Sequence, residues 1–317
     1  MTSSGVRSLP ELEEIPCPLC GTATFRLVHT LQDRLSPSRA QAAGVSQEET
    51  FSLAACSSCG FLYLNPRPRP EYLGRYYRAA GYDPHRRRGG GWTGLLYRIL
   101  RPLSVDWKAA QAARDLPPGR LLDVGCGSGE FPARMRERGW EAWGLELDEA
   151  AAGQARELGV KVVVGDPVTA PLPDLDFDLI TAWHALEHLP DLRGSAARVA
   201  GRLRRGGRLA LALPNPASLE ARFYGSRWVA WDAPRHLYHF RRQDLQALFE
   251  PLGFRFLRSL ALPLDPFYHA LLSELSWKSG PAAGLYAARG LLLGAASFLN
   301  GLRPEQGSSL LYLFQKT

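Results

Sequence analysis

LLDVGCGSGEF, residues Leu121–Phe131, is the stretch from which the fold is read. Leu121 and Leu122 lead into Asp123 and Val124. Gly125, Gly127 and Gly129 then alternate with Cys126 and Ser128, and after Glu130 and Phe131 the apolar period turns helical. The pattern predicts a buried parallel strand, a tight turn and a helix start. Glycine is needed where backbone turns sharply or approaches a ligand closely. Strand, glycine turn and helix form the nucleotide-binding corner of a doubly wound α/β sheet. A dinucleotide fingerprint is spaced G-x-G-x-x-G; the spacing here is G-x-G-x-G, which argues against a dinucleotide.

Three further strands follow in order. In WEAWGLELD, Trp140–Asp148, Trp143, Leu145 and Leu147 alternate around polar positions, as a strand does. Glu146 falls near its end, where an acidic residue can hold ribose hydroxyls. VKVVVGD, Val160–Asp166, is β-branched and ends in Gly165-Asp166. FDLITA, Phe177–Ala182, leads into Trp183-His184-Ala185-Leu186-Glu187-His188.

DVGCGSG at 123–129, GLELD at 144–148, GD at 165–166, FDLI at 177–180 and LEHLPD at 186–191 together resemble the class I S-adenosylmethionine-dependent methyltransferases, over residues 105–260. The resemblance implies a Rossmann-like sheet, mostly parallel with an antiparallel last strand, and S-adenosylmethionine as cofactor. It implies that the turn of Gly125, Cys126, Gly127 and Gly129 lies against the methionine portion, and that Asp123 orders that loop and the amino group. Glu146 would take the ribose hydroxyls in bidentate fashion and Asp166 the adenine amino group, with Leu147 and Pro167 packing on adenine. Taken singly, each acid could be a solvated carboxylate at a loop end. Cys126 reads as a small turn residue rather than a nucleophile.

A chain of 317 residues has material for two domains and a core. Its 45% hydrophobic and 22% charged content is ordinary for a soluble globular protein. The formal charge of +7 permits anionic substrates, nucleic acid or an acidic membrane surface and selects none of them. No apolar core of signal-peptide type stands near residue 1, so a cytoplasmic protein is expected. In that setting five cysteines point to metal or free thiols rather than disulfides.

Residues 1–10 are polar and expected to be disordered. Cys17-Pro18-Leu19-Cys20-Gly21 and Cys56-Ser57-Ser58-Cys59-Gly60 are then two C-x-x-C-G knuckles, which can complete a tetrahedral Cys₄ zinc site. Free buried cysteines are the plain alternative, and a redox pair would need only one knuckle. The alternating prolines of Asn65–Pro70 are expected to end the ribbon. Residues 71–80 look helical and carry Tyr72, Tyr76 and Tyr77. Arg86–Arg88 followed by three glycines reads as a solvated loop, with an anion-binding lid as the alternative. Leu95–Leu116 is helical in period, with a break expected at Arg101-Pro102. The expected organisation is a zinc-ribbon module (1–70), a helical linker or lid (71–108), the cofactor-binding core (109–260), and a hydrophobic helical insertion with the final strand (261–317).

The acceptor side is read from histidines. His184, Glu187 and His188 would share one face if a helix begins there. Relatives that methylate quinone-precursor phenols hold a divalent metal near this position; His184 replaces their first acid, which argues against a hard-metal site. Lining the pocket and acting as a base are the other two roles. PRHLYHF, Pro234–Phe240, resembles a segment of a bacterial, type 11/23-like methyltransferase subgroup that also carries an N-terminal Cys₄ ribbon. His236 or His239 there could deprotonate a hydroxyl acceptor; a hydrogen-bonded structural histidine is the alternative. The catalytic candidates are thus His236, His239 and His184.

The expected function is methyl transfer from S-adenosylmethionine to oxygen on a small metabolite, glycan or lipid-linked acceptor. A second reading is an rRNA base methyltransferase with a zinc module. No aromatic–basic stripe and no Asn/Asp-Pro-Pro-Tyr-like turn supports it, so nucleic acid is not the expected partner. A third is a non-catalytic zinc-ribbon scaffold. The leucine-rich insertion Ala261–Gly307 is expected to pack on the core, roof a hydrophobic acceptor or touch a membrane surface. The acceptor atom and the oligomeric state are not encoded in any motif.

Overall fold

Residues 11–33, 49–77, 92–275 and 283–317 are described in the computed structural model of the chain. The polar stretch 1–10, the arginine–glycine run 86–91 and the end of the tyrosine-rich segment, 78–80, lie outside the described residues.

The first unit is built on β1 (Leu12–Glu13), β2 (Phe25–Gln32), β3 (Thr50–Cys56), β4 (Leu62–Leu64) and β5 (Arg67–Pro68). β2, β3 and β4 form an antiparallel meander, and its alternation buries Phe51, Leu53, Tyr63 and Leu64. Each knuckle is closed by its glycine: the Gly21 N–H donates to Cys17 O at 2.8 Å and the Gly60 N–H to Cys56 O at 3.0 Å. Both glycines have positive φ, +81° and +72°, which a side chain would strain. The prolines do not end pairing at residue 65. β5 bridges β1, because the flanking bond is donated by Arg69 to Glu11 O and needs no proline N–H.

α1 (Pro70–Tyr77) and α2 (Trp92–Ala112) lead to the core. The expected break at Pro102 is absent, and α2 runs through it. Pro102 is on the exposed side, while Ala109 and Ala112 are buried against the sheet, so packing holds the helix together. The core then alternates β6 (Arg120–Val124), α3 (Glu130–Glu137), β7 (Glu141–Glu146), α4 (Glu149–Glu157), β8 (Lys161–Val164), β9 (Phe177–Trp183), α5 (Leu192–Arg202) and β10 (Leu203–Pro214). After α6 (Leu219–Tyr224), β11 (Tyr238–His239), α7 (Arg242–Phe249) and β12 (Phe254–Ala261), the helical pair α8 (Asp265–Leu275) and α9 (Ala283–Asn300) precedes β13 (Ser309–Lys316).

The seven-stranded sheet has the order β12-β13-β10-β9-β6-β7-β8. β13 pairs antiparallel with both neighbours, and the other pairings are parallel. This is the expected Rossmann-like sheet, mostly parallel, with the strand order reversing between β6 and β9. Side chains buried on both faces, such as Leu121, Leu122, Leu179 and Ile180, explain why these strands read as continuous apolar runs.

β11 leaves this sheet and pairs with β4, giving the order β11-β4-β3-β2. PRHLYHF thus extends the ribbon sheet. Leu64 N–H donates to Leu237 O at 2.9 Å, and Leu237 N–H to Glu187 O at 2.8 Å, so this one segment joins the ribbon to the loop after β9. Arg235, fully buried, clamps the joint with bonds to Asp33 at 2.8 Å and Asp232 at 2.7 Å.

Candidate functional site

The site lies where the strand order reverses, at the carboxyl ends of β6 and β9. Gly125, Gly127 and Gly129 have φ of +71°, +53° and +80°, so the turn between β6 and α3 is left-handed at each glycine. A Cβ on Gly125 would stand 2.8 Å from Ala185 Cβ, and one on Gly129 2.5 Å from Ala155 Cβ. The turn is therefore pressed between the loop after β9 and α4. Cys126 is buried, and its Sγ occupies the space that a side chain on Gly144 would need, 2.4 Å from that Cβ. Burial raises its thiol pKa, so this cysteine is a packing residue and a poor nucleophile.

Glu146 ends β7 beside the turn. One carboxylate oxygen accepts from Gly127 N–H at 2.8 Å; the other accepts from Leu147 N–H at 2.8 Å and Asp148 N–H at 2.9 Å. Leu147 is 74% exposed, an apolar platform beside the turn. Asp166 accepts from Val168 N–H at 2.8 Å and stays half-buried, whereas Pro167 is buried beneath it. Asp123 is buried at the end of β6, with one bond from Thr181 Oγ1 at 2.6 Å. Burial pushes its pKa up to about 7, against the pull of Thr181 and Lys108.

The acceptor side differs from the expected helix face. Only Leu186–His188 forms a turn of 3₁₀ helix, and His184 has φ +53°, outside any helix. His184 and Glu187 still meet, Nδ1 to Oε1 at 3.6 Å, while His184 Nε2 lies 3.2 Å from Asp265 of α8. Burial disfavours the imidazolium, but the two carboxylates more than offset it and hold the His184 pKa up at about 9.

His188 and His236 form a second group with Glu187. Their rings stand edge to face at 4.6 Å, and one donor atom from each of the three residues lies within 4.8 Å of the others. His236 Nδ1 is 2.9 Å from the Ala230 carbonyl, which can only accept; Nδ1 therefore carries a hydrogen, and the lone pair of the neutral ring is on Nε2. Nδ1 of His188 sits between the Tyr77 hydroxyl at 2.9 Å and the Arg235 carbonyl at 3.1 Å. Burial and the neighbouring His236 lower the His188 pKa to about 4. Both Glu187 oxygens are buried without a hydrogen bond. Two imidazoles and a carboxylate are also a set that a divalent transition metal accepts. His239 lies deeper, edge-on to Trp231 at 4.7 Å, and burial keeps it neutral.

Three residues here went unread in the sequence: Thr181, Lys108 and Asp265. Lys108, whose Nζ lies 4.9 Å from the Trp183 ring centre, faces the charges of Asp265 and Asp123. A lysine between tryptophan and alanines on the inward side of a helix was the available signal. Asp265 gave none, because it lies in the insertion, far from the motifs.

At the ribbon, Cys17 Sγ and Cys59 Sγ are 3.7 Å apart, and Cys20 Sγ and Cys56 Sγ 3.5 Å. All four are free thiols whose sulfurs lie within 4.8 Å of one another. A zinc–sulfur bond of ~2.3 Å in a tetrahedron implies sulfur–sulfur edges of about 3.8 Å, so the cluster has the dimensions of a Cys₄ site.

A family model described as a methyltransferase domain matches residues 96–259. The 27-O-demethylrifamycin SV methyltransferase of Amycolatopsis mediterranei strain S699 is 40% identical over 116 residues, 32% of this chain and 42% of that protein. The ubiquinone biosynthesis O-methyltransferase of Xanthomonas campestris pv. campestris strain B100 is 30% identical over 152 residues, 45% of this chain and 62% of that protein. The chain therefore spans less than two thirds of either relative. The crystal structure of magnesium protoporphyrin IX methyltransferase from Synechocystis PCC 6803 with bound SAH has a TM-score of 0.51 at 15% identity, over 78% of this chain and 100% of that one. At that identity the likeness is one of fold.

Proposed function

This chain belongs to the methyltransferase domain family, and from that premise we propose that it methylates a hydroxyl oxygen of an acceptor with S-adenosylmethionine as donor. The observation that carries the reading is the corner itself: a left-handed glycine turn, the three-bonded Glu146 carboxylate beside it and the buried Asp123 beneath. The bound cofactor supplies a methyl group already activated on a sulfonium. The protein's task is mainly to bind and align. Glu146 would hold the ribose hydroxyls, Asp123 the ammonium and Asp166 the adenine amino group, and exposed Leu147 would offer an apolar contact for adenine. Oxygen as the accepting atom is supported by the two relatives, both named for O-methylation.

His236 is the proton acceptor in this proposal. Its Nε2 lone pair would take the proton of the acceptor hydroxyl, freeing that oxygen to receive the methyl group the cofactor would supply, with S-adenosylhomocysteine as the leaving group. The imidazolium that results is balanced by Asp232, 3.9 Å from Nε2, and by the Glu187 carboxylate, which has no hydrogen bond of its own. His184 is held as an imidazolium and is unsuited to that role. His239 packs behind the row. The four cysteines would hold a structural zinc, which would fix the ribbon against which PRHLYHF docks.

A turnover screen with labelled donor against phenolic, glycan and polyprenyl hydroxyls tests the activity. His236→Asn should lower turnover by about 10²–10⁴-fold, the usual contribution of a general base, while S-adenosylhomocysteine affinity stays within twofold. Full turnover in that variant removes His236 from the reaction.

A further inference from the structure

α9 is apolar on the side that no described residue covers. Its inner side is fixed. Cβ atoms on Gly290 and Gly294 would each lie 2.9 Å from a Cα of α8, so the two helices meet backbone to backbone, and Ser297 donates to buried Glu220 at 2.5 Å. α8 in turn buries His269, Ala270 and Ser273 in the core, so the pair is no detachable lid. On the outer side Leu285, Leu291, Leu292 and Leu299, with Leu302 just beyond, are between 51% and 74% exposed. A surface helix ordinarily turns polar residues outward. Here the outward positions between Leu285 and Leu299 are leucine, alanine and phenylalanine, with Arg289 as the one charge among them. A contiguous apolar patch of this kind marks an interaction site.

Charge decides the partner. Arg303 and Arg222 are exposed at the carboxyl end of the helix, Arg222 lying 3.5 Å from Gln306. The neighbouring acids are occupied: Glu274 is buried against Arg289 at 3.1 Å, and Glu305 pairs with Arg242 at 2.7 Å. Among the described residues no helix is long and apolar enough to cross a membrane. An apolar face with a basic rim on such a helix suits a position in the plane of an anionic interface. Phe298 and Leu302 also line a groove of about 360 Å³ with Trp107, Leu260 and Leu262, and the groove reaches Pro266, next to the Asp265 that holds His184. The face and the groove share Phe298 and Leu302.

We propose that the leucine face of α9 docks this protein on an anionic lipid surface. The proposal rests on surface chemistry and stands whether or not the methyl-transfer reading holds. Its test is flotation of the full chain with vesicles of phosphatidylcholine and phosphatidylglycerol at 3:1, beside pure phosphatidylcholine. The wild type should float with the anionic vesicles and less so at high salt. L292E/L299E, with its thermal midpoint unchanged, should lose about tenfold or more of the bound fraction, because two leucines then no longer enter the interface. Leu158→Glu, on an exposed leucine remote from α9, should float like the wild type. Wild type left in the soluble fraction, or a folded L292E/L299E that still floats, overturns the proposal. So does sedimentation showing a vesicle-indifferent dimer that L292E/L299E dissociates, since a second copy would then cover the face.

Discussion

Replacing Glu146 by alanine separates the cofactor's needs from those of the fold. In the structure its carboxylate accepts three backbone N–H groups, from Gly127, Leu147 and Asp148, at 2.8–2.9 Å. Glu146 is only half-buried, so in the free protein water can replace the lost acceptor. The stability loss should then stay near the net value of an ordinary hydrogen bond, about 1 kcal/mol. Binding is different, because the same carboxylate is the proposed acceptor for both ribose hydroxyls. Hydrogen bonds to a charged group contribute about 1.5–3 kcal/mol, so affinity for S-adenosylhomocysteine should fall about 10- to 150-fold at ~1.4 kcal/mol per decade. Calorimetric titration of the wild type, Glu146→Ala and the control Glu149→Ala measures this. Glu149 is an exposed acid at the start of α4, and its removal changes net charge equally. A folded Glu146→Ala protein that binds as tightly as Glu149→Ala would refute the assignment of this corner.

Burial pushes the Asp123 pKa up to about 7, and a bound ammonium favours the ionised form, so S-adenosylhomocysteine affinity should weaken as pH falls below 7; the proton released on binding should appear as a buffer-dependent enthalpy that Asp123→Asn removes. Although burial opposes its charge, the carboxylates of Asp265 and Glu187 hold the His184 pKa at about 9 against an ordinary 6.5. The stabilisation from this group is complete below pH 6.5 and lost as pH rises through 9, so the thermal midpoint should fall over that window less steeply in Asp265→Asn than in the wild type. Gly129→Ala places a Cβ 2.5 Å from Ala155 Cβ at φ +80° and should lower stability by about 1–3 kcal/mol, read in a denaturant titration. Protein purified without chelator should carry one zinc per chain, and its removal should lower the thermal midpoint; trace zinc alone would mean that the cysteines are not a site.

The order of strands around LLDVGCGSGEF, the glycine turn, Glu146 at its strand end and the two knuckles were legible in the sequence, because each rests on a period, a spacing or a backbone need confined to a few neighbouring residues. α2 shows where such reading stops: a proline predicts a break, but the burial of Ala109 and Ala112 carries the helix through it. His184, Glu187 and His188 were expected to be neighbours by helical spacing. His184 and Glu187 meet instead through a left-handed residue and a single 3₁₀ turn. The histidines of PRHLYHF were read without any element assigned to the segment, and Tyr238 and His239 become an edge strand of the ribbon, since β4 offers a row of backbone groups for pairing. That pairing is what sets His236 beside His188, and the entry of α8 is what brings Asp265 to His184. The sequence by itself determined the glycine corner, because a strand, a turn and a helix start are local; only the tertiary structure decided the company of the histidines, because those contacts join residues far apart along the chain through surfaces that exist once the sheets have formed.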